Sequence, residues 1–200
     1  GFWLADRTAE GAHRLHFYPV APDAVERPDL VLPMTIAGAH YPGLTTQVSP
    51  DGRHAILVSE PHEHVALVLV DLETLAATPF LPEGWSGECD GSWLDDATYV
   101  ARVTGDTERG RVVAIPVATS RDPSTWRELV GEGEGFLNWA GINGGRLYVG
   151  DMVDVSQRVR VFDTAGQLIE TLPLPGPYAL PSMMLARALR PSEAFAFYHT

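Results

Sequence analysis

The 200 residues carry 45% hydrophobic and 20% charged side chains, a balance that excludes an intrinsically disordered chain and fits a folded one. The formal charge of -12 arises from 26 acidic against 14 basic residues, every basic residue is Arg, and these are scattered singly, with Arg109 and Arg111 nearest to a group. A nucleic-acid or anionic-membrane surface needs a clustered basic face, so both are excluded as partners.

The chain opens on Gly1-Phe2-Trp3-Leu4-Ala5-Asp6-Arg7, which has neither a basic leader nor a long apolar run and reads as the middle of a longer polypeptide. Next comes an alternating strand, Arg14-Leu15-His16-Phe17-Tyr18-Pro19-Val20. The polar turn Ser49-Pro50-Asp51-Gly52-Arg53 then leads into the apolar run His54 to Val58, and the strand Ala66 to Leu72 follows. Both patterns return. Turn and apolar run recur at Trp93 to Val100, at Ile142 to Val149 and, more weakly, at Leu189 to Phe197; the alternating strand recurs at Val112 to Val117 and Arg158 to Asp163.

The steps are roughly 45 to 50 residues in the first series and about 46 in the second, the repeat length of a four-stranded propeller blade. Asp51-Gly52 and Gly144-Gly145 supply the positive φ of tight hairpin turns, and alternating Val, Ile, Leu, Tyr and Phe mark strands with sheet neighbours on both faces. Ser182 to Arg190 is the best helical candidate, and Pro181 and Pro191 confine it to a turn or two.

The fold class is therefore all-β: a β-propeller segment of about four consecutive four-stranded antiparallel blades. It forms a single domain over residues 1–200, with a partial blade at 1–40, blades at 41–87, 88–135 and 136–178, and a partial blade at 179–200. The closing segment Ala194 to Thr200 stops on a strand-like alternation, which again reads as a piece of a larger ring.

The chemistry of a hydrolase is missing from the sequence. A Gly-x-Ser-x-Gly elbow, which projects a serine hydroxyl beside an oxyanion hole, is absent; Gly84-Trp85-Ser86-Gly87-Glu88 lacks the last glycine and reads as a loop between blades. His62 and His64 beside Glu60 have a spacing able to hold zinc, but a third ligand is not evident and Pro61 favours a hairpin loop with solvated histidines. His13 is placed in a turn and His16 on a strand.

Cys89 is the single cysteine, so no intrachain disulfide forms; between Glu88 and Asp90 it reads as an inert small residue, and a cytoplasmic location is expected. Asp95-Asp96 and Asp151 with Asp154 are read as turn chemistry rather than a calcium or acid–base site. Trp85, Trp93, Trp126 and Trp139, at blade spacing, are read as core between blades rather than as the lining of a channel. No residue is assigned a catalytic, cofactor-binding or metal-binding role.

The order of motifs resembles the propeller of the prolyl oligopeptidase family of serine peptidases. Arg14 to Tyr18, the D-x-V segment Asp29-Leu30-Val31, the Ser49 to Arg53 turn and the strand end Val70-Asp71-Leu72 are each similar to that family's succession. The most particular match is Asp122-Pro123-Ser124-Thr125-Trp126-Arg127-Glu128-Leu129-Val130, a Pro-x-x-W-x-x-L-V run placed after a blade's third strand. Arg158 to Asp163 with Gly166, and Phe197-Tyr198, complete the series.

The resemblance implies a seven-bladed propeller, of which this chain is roughly the middle four blades, over a C-terminal α/β-hydrolase domain of the same parent protein. That domain holds a Ser, Asp, His triad and cuts after proline, while the propeller admits short peptides and excludes folded proteins. The chain itself is expected to be inactive and to need no cofactor. The rivals are a propeller acting as a scaffold for a protein or ligand, and a lactonase-like hydrolase with metal in its channel; no Asp, Asn or Glu recurs at equivalent positions to support the latter.

Overall fold

The computed structural model describes residues 2–9, 12–20, 26–32, 43–60, 65–154 and 156–173. Ser182 to Arg190, the repeat at Leu189 to Phe197, and His62 and His64 lie outside them. The regular structure of the described residues is strand but for two short 3-10 turns, and the strands form antiparallel sheets hydrogen-bonded in chain order.

One compact unit, Gly1–Trp85, contains a three-stranded and a four-stranded sheet. The first sheet is β1 (Phe2–Arg7), β2 (His13–Tyr18) and β3 (Leu30–Val31); the second is β4 (Gly43–Val48), β5 (His54–Glu60), β6 (Ala66–Asp71) and β7 (Ala77–Pro79). Alternation sends Trp3, Ala5, Leu15, Leu30 and Leu32 of the first sheet onto Ala55, Leu57, Val68 and Val70 of the second, which makes one core. Each leucine removed from water in this way contributes about 2 kcal/mol.

The second unit, Ser86–Thr200, holds two four-stranded sheets. The third sheet is β8 (Cys89–Trp93), β9 (Thr98–Val103), β10 (Arg111–Pro116) and β11 (Arg127–Val130). The fourth is β12 (Phe136–Asn143), β13 (Arg146–Val153), β14 (Ser156–Phe162) and β15 (Leu168–Thr171). β12 lies against β8 and β9. Val100, Val112 and Ala114 meet Leu137, Ala140, Leu147, Val149 and Phe162 in the core between the two sheets. On its other face the fourth sheet buries Trp139, Tyr148, Val159 and Val161. Trp139 lies flat over Gly150, where an added Cβ would come within 2.2 Å of the indole nitrogen.

The two repeating sequence series are now identified. The polar turn with its apolar run is the hairpin from first to second strand in the second, third and fourth sheets, and the alternating strand is the third strand: β6, β10 and β14. In the first sheet β2 holds that place.

The turns are built by local side-chain chemistry. Ser49 Oγ donates to Asp51 Oδ1 at 2.7 Å and accepts from the His54 amide at 2.9 Å, Asp51 Oδ1 accepts from the Arg53 amide at 3.0 Å, and Gly52 takes a φ of 74°. A side chain other than glycine is strained there. At the ends of β6 and β14, Asp71 and Asp163 each accept from two amides of the turn that follows. The Pro-x-x-W run is a single 3-10 turn, Pro123–Thr125, capped by the Asp122 carboxylate accepting from the Ser124 amide, after which Trp126 buries its ring and donates from Nε1 to Ser120 O at 3.0 Å.

Candidate functional site

Among the described residues three constellations of charged side chains are set by hairpin register, and beside them Arg111 meets Asp106 at 2.5 Å and Glu128 at 3.4 Å. In the first sheet Asp6 and Arg14 are directly opposed; Arg14 donates from Nε and Nη2 to the two Asp6 oxygens at 2.8 and 2.6 Å, and from Nη1 to Asp29 at 3.2 Å. Asp29 also binds the His16 ring nitrogen, and the His16 ring stands edge-on to Tyr18 with centroids 4.4 Å apart. The Arg14 guanidinium holds the Asp6 carboxyl below its ordinary value, and Asp6 in turn raises Arg14.

In the second unit Arg102, on β9 and almost completely buried, meets Glu88 at 2.6 Å and Asp90 at 3.3 Å. It also donates to the carbonyl of Leu137 on β12 at 3.3 Å, so one cation ties the third sheet to the fourth. In the fourth sheet Asp151 is 1% exposed and receives Arg158 through Nε at 3.2 Å and Nη2 at 2.5 Å, with Arg160 at 3.4 Å; Arg158 reaches on to Glu134 at 3.0 Å. Asp151 raises the pKa of Arg158 by accepting its hydrogen bonds.

In all three the carboxylates are paired with guanidiniums, and only the buried Nε of Arg160 has no hydrogen-bond partner among these groups. None sets a nucleophile beside a base, the arrangement covalent catalysis requires. Among the described residues no group of three or more His, Cys, Asp or Glu is placed to hold a metal ion. An open cavity of about 270 Å³ in the first unit is lined by Arg27, Pro28, Leu72, Glu73, Thr74 and Leu75. There the Arg27 guanidinium lies 5.9 Å from the Trp3 ring centre and 5.4 Å from that of Phe17, and donates to Leu72 O at 2.9 Å. Arg27 thereby fastens the first sheet to the β6–β7 turn.

Several sequence readings find their places. Gly84 to Glu88 is a loop between β7 and β8 with no helix after it, and Gly87, at φ 109°, is pressed within 2.7 Å of the Gly105 backbone by the measure of an added Cβ. Cys89 is buried in β8. Asp95 accepts from the Ala97 amide, as turn chemistry expects. Trp126 and Trp139 are buried, whereas Trp85 and Trp93 are half-buried, Trp93 standing edge-on to Tyr99 at 5.9 Å.

Two readings are corrected. Asp151 belongs to no turn: it is an inward residue of β13, bound by the opposed Arg158 and its neighbour Arg160, while Asp154 alone takes the turn, at a φ of 46°. His13 is the first residue of β2, paired with Arg7, because the β1–β2 hairpin extends to it. Sequence reasoning overlooked Arg102, Arg158, Arg160 and Arg27. For the β14 pair a signal existed, since the hairpin register sets Asp151 opposite Arg158; Arg102 draws on Leu137, 35 residues away, and no local pattern shows that.

Four-stranded antiparallel meanders that recur along the chain at one period are the repeating unit of a β-propeller. The chain belongs to the prolyl oligopeptidase N-terminal β-propeller domain family, whose model matches residues 42–190. Among solved structures it is similar to one from a study of two prolyl endopeptidases and the role of inter-domain dynamics, with a TM-score of 0.59 and 18% identity, covering 88% of this chain and 28% of that one. Prolyl oligopeptidase B from Galerina marginata matches as the apo protein with a TM-score of 0.65 and 12% identity, over 90% of this chain and 26% of that one. The chain thus spans about a quarter of the length of these solved relatives. No curated protein matches it in sequence. Among the described residues no helix is long and apolar enough to cross a membrane.

Proposed function

We propose that this chain is the non-catalytic, substrate-gating propeller of a prolyl-oligopeptidase-like serine peptidase that hydrolyses short proline-containing peptides. The observation that carries the reading is the family match across residues 42–190. The peptidase propeller accounts for that match where a free-standing scaffold does not require it. A propeller in this role contributes no reacting group. It screens substrates by size, and the chemistry is done by a C-terminal α/β-hydrolase domain of the same parent protein, with its Ser, Asp and His. The proposed location is cytoplasmic, in keeping with a single, buried thiol.

The test is to assay the intact gene product and the 200-residue chain side by side with a fluorogenic peptide bearing proline at the cleaved position. The intact product is expected to turn over the short peptide, to be labelled by a fluorophosphonate and to spare a folded protein substrate, while the chain alone does none of these. Turnover by the chain alone, or an intact product without a reactive serine, overturns the reading.

A further inference from the structure

The turn that follows β6 and the turn that follows β14 hold the same place in the repeat, and they are closed in different ways. Each begins on an aspartate that accepts hydrogen bonds from the turn's own amides, Asp71 in one and Asp163 in the other. Each is also tied, at the carbonyl just past that aspartate, by an arginine from the start of the preceding sheet's last strand or shortly before it. Arg27 donates to Leu72 O at 2.9 Å, and Arg127 to Thr164 O at 3.3 Å.

The difference lies in the left-handed residue of each turn. After β14 it is Gly166, at φ 92°, and the turn is shut: a Cβ added there would fall 2.4 Å from Leu129 O. After β6 it is Leu75, at φ 57°, in a turn one residue longer, since the Asp71 amide donates to Ala76 O and the Asp163 amide to Gln167 O. A leucine is strained in the left-handed region where a glycine is not, and such strain persists where the surrounding structure has a use for it. Here the half-buried Leu75 lines the open cavity of about 270 Å³, with Arg27, Pro28, Leu72, Glu73 and Thr74.

The two arginines differ in the same sense. Arg127 places both ends of its fork on the tie, Nη2 on Thr164 O and Nη1 on Ala165 O. Arg27 gives its tie Nη1 alone and rests its guanidinium on the Trp3 and Phe17 rings, so among the described residues its Nε and Nη2 have no hydrogen-bond partner. Those two nitrogens form the edge by which Arg14 takes Asp6 and Arg158 takes Asp151. Its two parallel donors match the two oxygens of a carboxylate. The exposed Glu73 carboxylate, on the same cavity, also has no partner among the described residues and is free to accept from an N–H.

We propose that this cavity is a binding site for a free α-carboxylate borne by an apolar residue. The carboxylate lies on Nε and Nη2 of Arg27, the residue's side chain packs on Pro28 and Leu75, and its N–H donates to Glu73. A free apolar amino acid and the C-terminal residue of a short peptide share this chemistry. The proposal stands on the first unit alone and is independent of the gating role, so the peptidase assays and the test below fail separately.

The test is calorimetric titration of the intact gene product with acetyl-alanyl-leucine, its C-terminal amide, free leucine and inorganic phosphate. The acid is expected to bind, and the uncharged amide to bind at least about tenfold more weakly. Free leucine binding more tightly than the acetylated peptide supports the site with an amino acid as its ligand; the reverse order supports it with a peptide end. Arg27→Lys keeps the charge and a donor for Leu72 O but lacks the parallel pair, and should weaken binding of the acid about tenfold. Leu75→Gly is expected to fold at least as stably, because glycine suits that φ, and to lose the preference for acetyl-alanyl-leucine over acetyl-alanyl-alanine. Arg127→Lys, the same change at the shut turn, should leave binding as it was. The proposal is overturned if the acid does not bind, if the amide or phosphate binds as tightly as the acid, if Arg27→Lys binds in full, or if Arg127→Lys weakens binding equally.

Discussion

Asp6–Arg14 and Asp151–Arg158 are the same cross-strand pair built twice, with the same residue types, register and two-pronged hydrogen bonding. The Asp151 carboxylate is 1% exposed and Arg160 adds a second cation, although Arg158 itself is 34% exposed; in the Asp6 pair both partners are about one-third open to solvent. The difference teaches that local sequence fixes who pairs with whom, whereas the weight of the pair is decided by what lies on top of it. Coulomb attraction in water is several-fold weaker than at a site shielded by protein, and breaking a buried pair also strands a charge.

The comparison can be sharpened at its extreme. Arg102 is more enclosed than either Arg14 or Arg158, and it serves two carboxylates and a carbonyl of the neighbouring sheet. Arg102→Ala is expected to destabilise the chain by about 4 kcal/mol in urea unfolding, since it leaves a buried acceptor and two crowded carboxylates without their donor. A loss below about 1 kcal/mol would place Arg102 among the ordinary surface pairs.

Asp151→Ala is expected to cost about 3 kcal/mol by the same measurement, as two guanidiniums lose a common acceptor. Asp6→Ala, the matching change in the first sheet, should leave the urea midpoint of the 200-residue chain nearly unmoved. Equal effects at the two positions would break the comparison outright.

The smallest expected effect is in pH. Asp6, Asp51, Asp71 and Asp122 all sit below their ordinary value of 3.8: Asp6 through Arg14, Asp51 through Ser49, Asp71 through the Thr74 amide and Asp122 through Ser124. Depressed carboxyl groups contribute stability that is fully present above the ordinary value and is lost as pH falls through the folded-state values. The melting temperature should therefore be flat between about pH 7 and pH 5 and decline below about pH 4. A decline already under way at pH 6 would assign acid sensitivity to the histidines instead.

What was legible in the sequence is what short-range chemistry builds. Ser49, Asp51 and Gly52 make their turn among themselves, Asp71 and Asp163 end strands on adjacent amides, and period-2 alternation lays out β5, β6, β10 and β14, so the repeat and the all-β class could be read directly. The fate of isolated charges could not. Asp151 looks like any turn aspartate until β13 and β14 are paired, and Arg102 looks like a surface residue in Tyr99-Val100-Ala101-Arg102-Val103 until β12 is laid across it. Alternation tells which side a residue faces, and only tertiary packing tells whether that side is wet.

Cys89 gives the packing of the third sheet against the fourth a clock. It is the chain's single thiol, it is fully buried, and it lies in β8, the strand on which β12 rests. A thiol reagent in excess can reach it only when that strand opens, so the reaction rate of the unmodified protein reports the opening frequency of the third sheet, much as amide exchange reports local unfolding. One buried sulfur atom thus makes the breathing of a β-sheet measurable by absorbance, with no substitution and no attached dye.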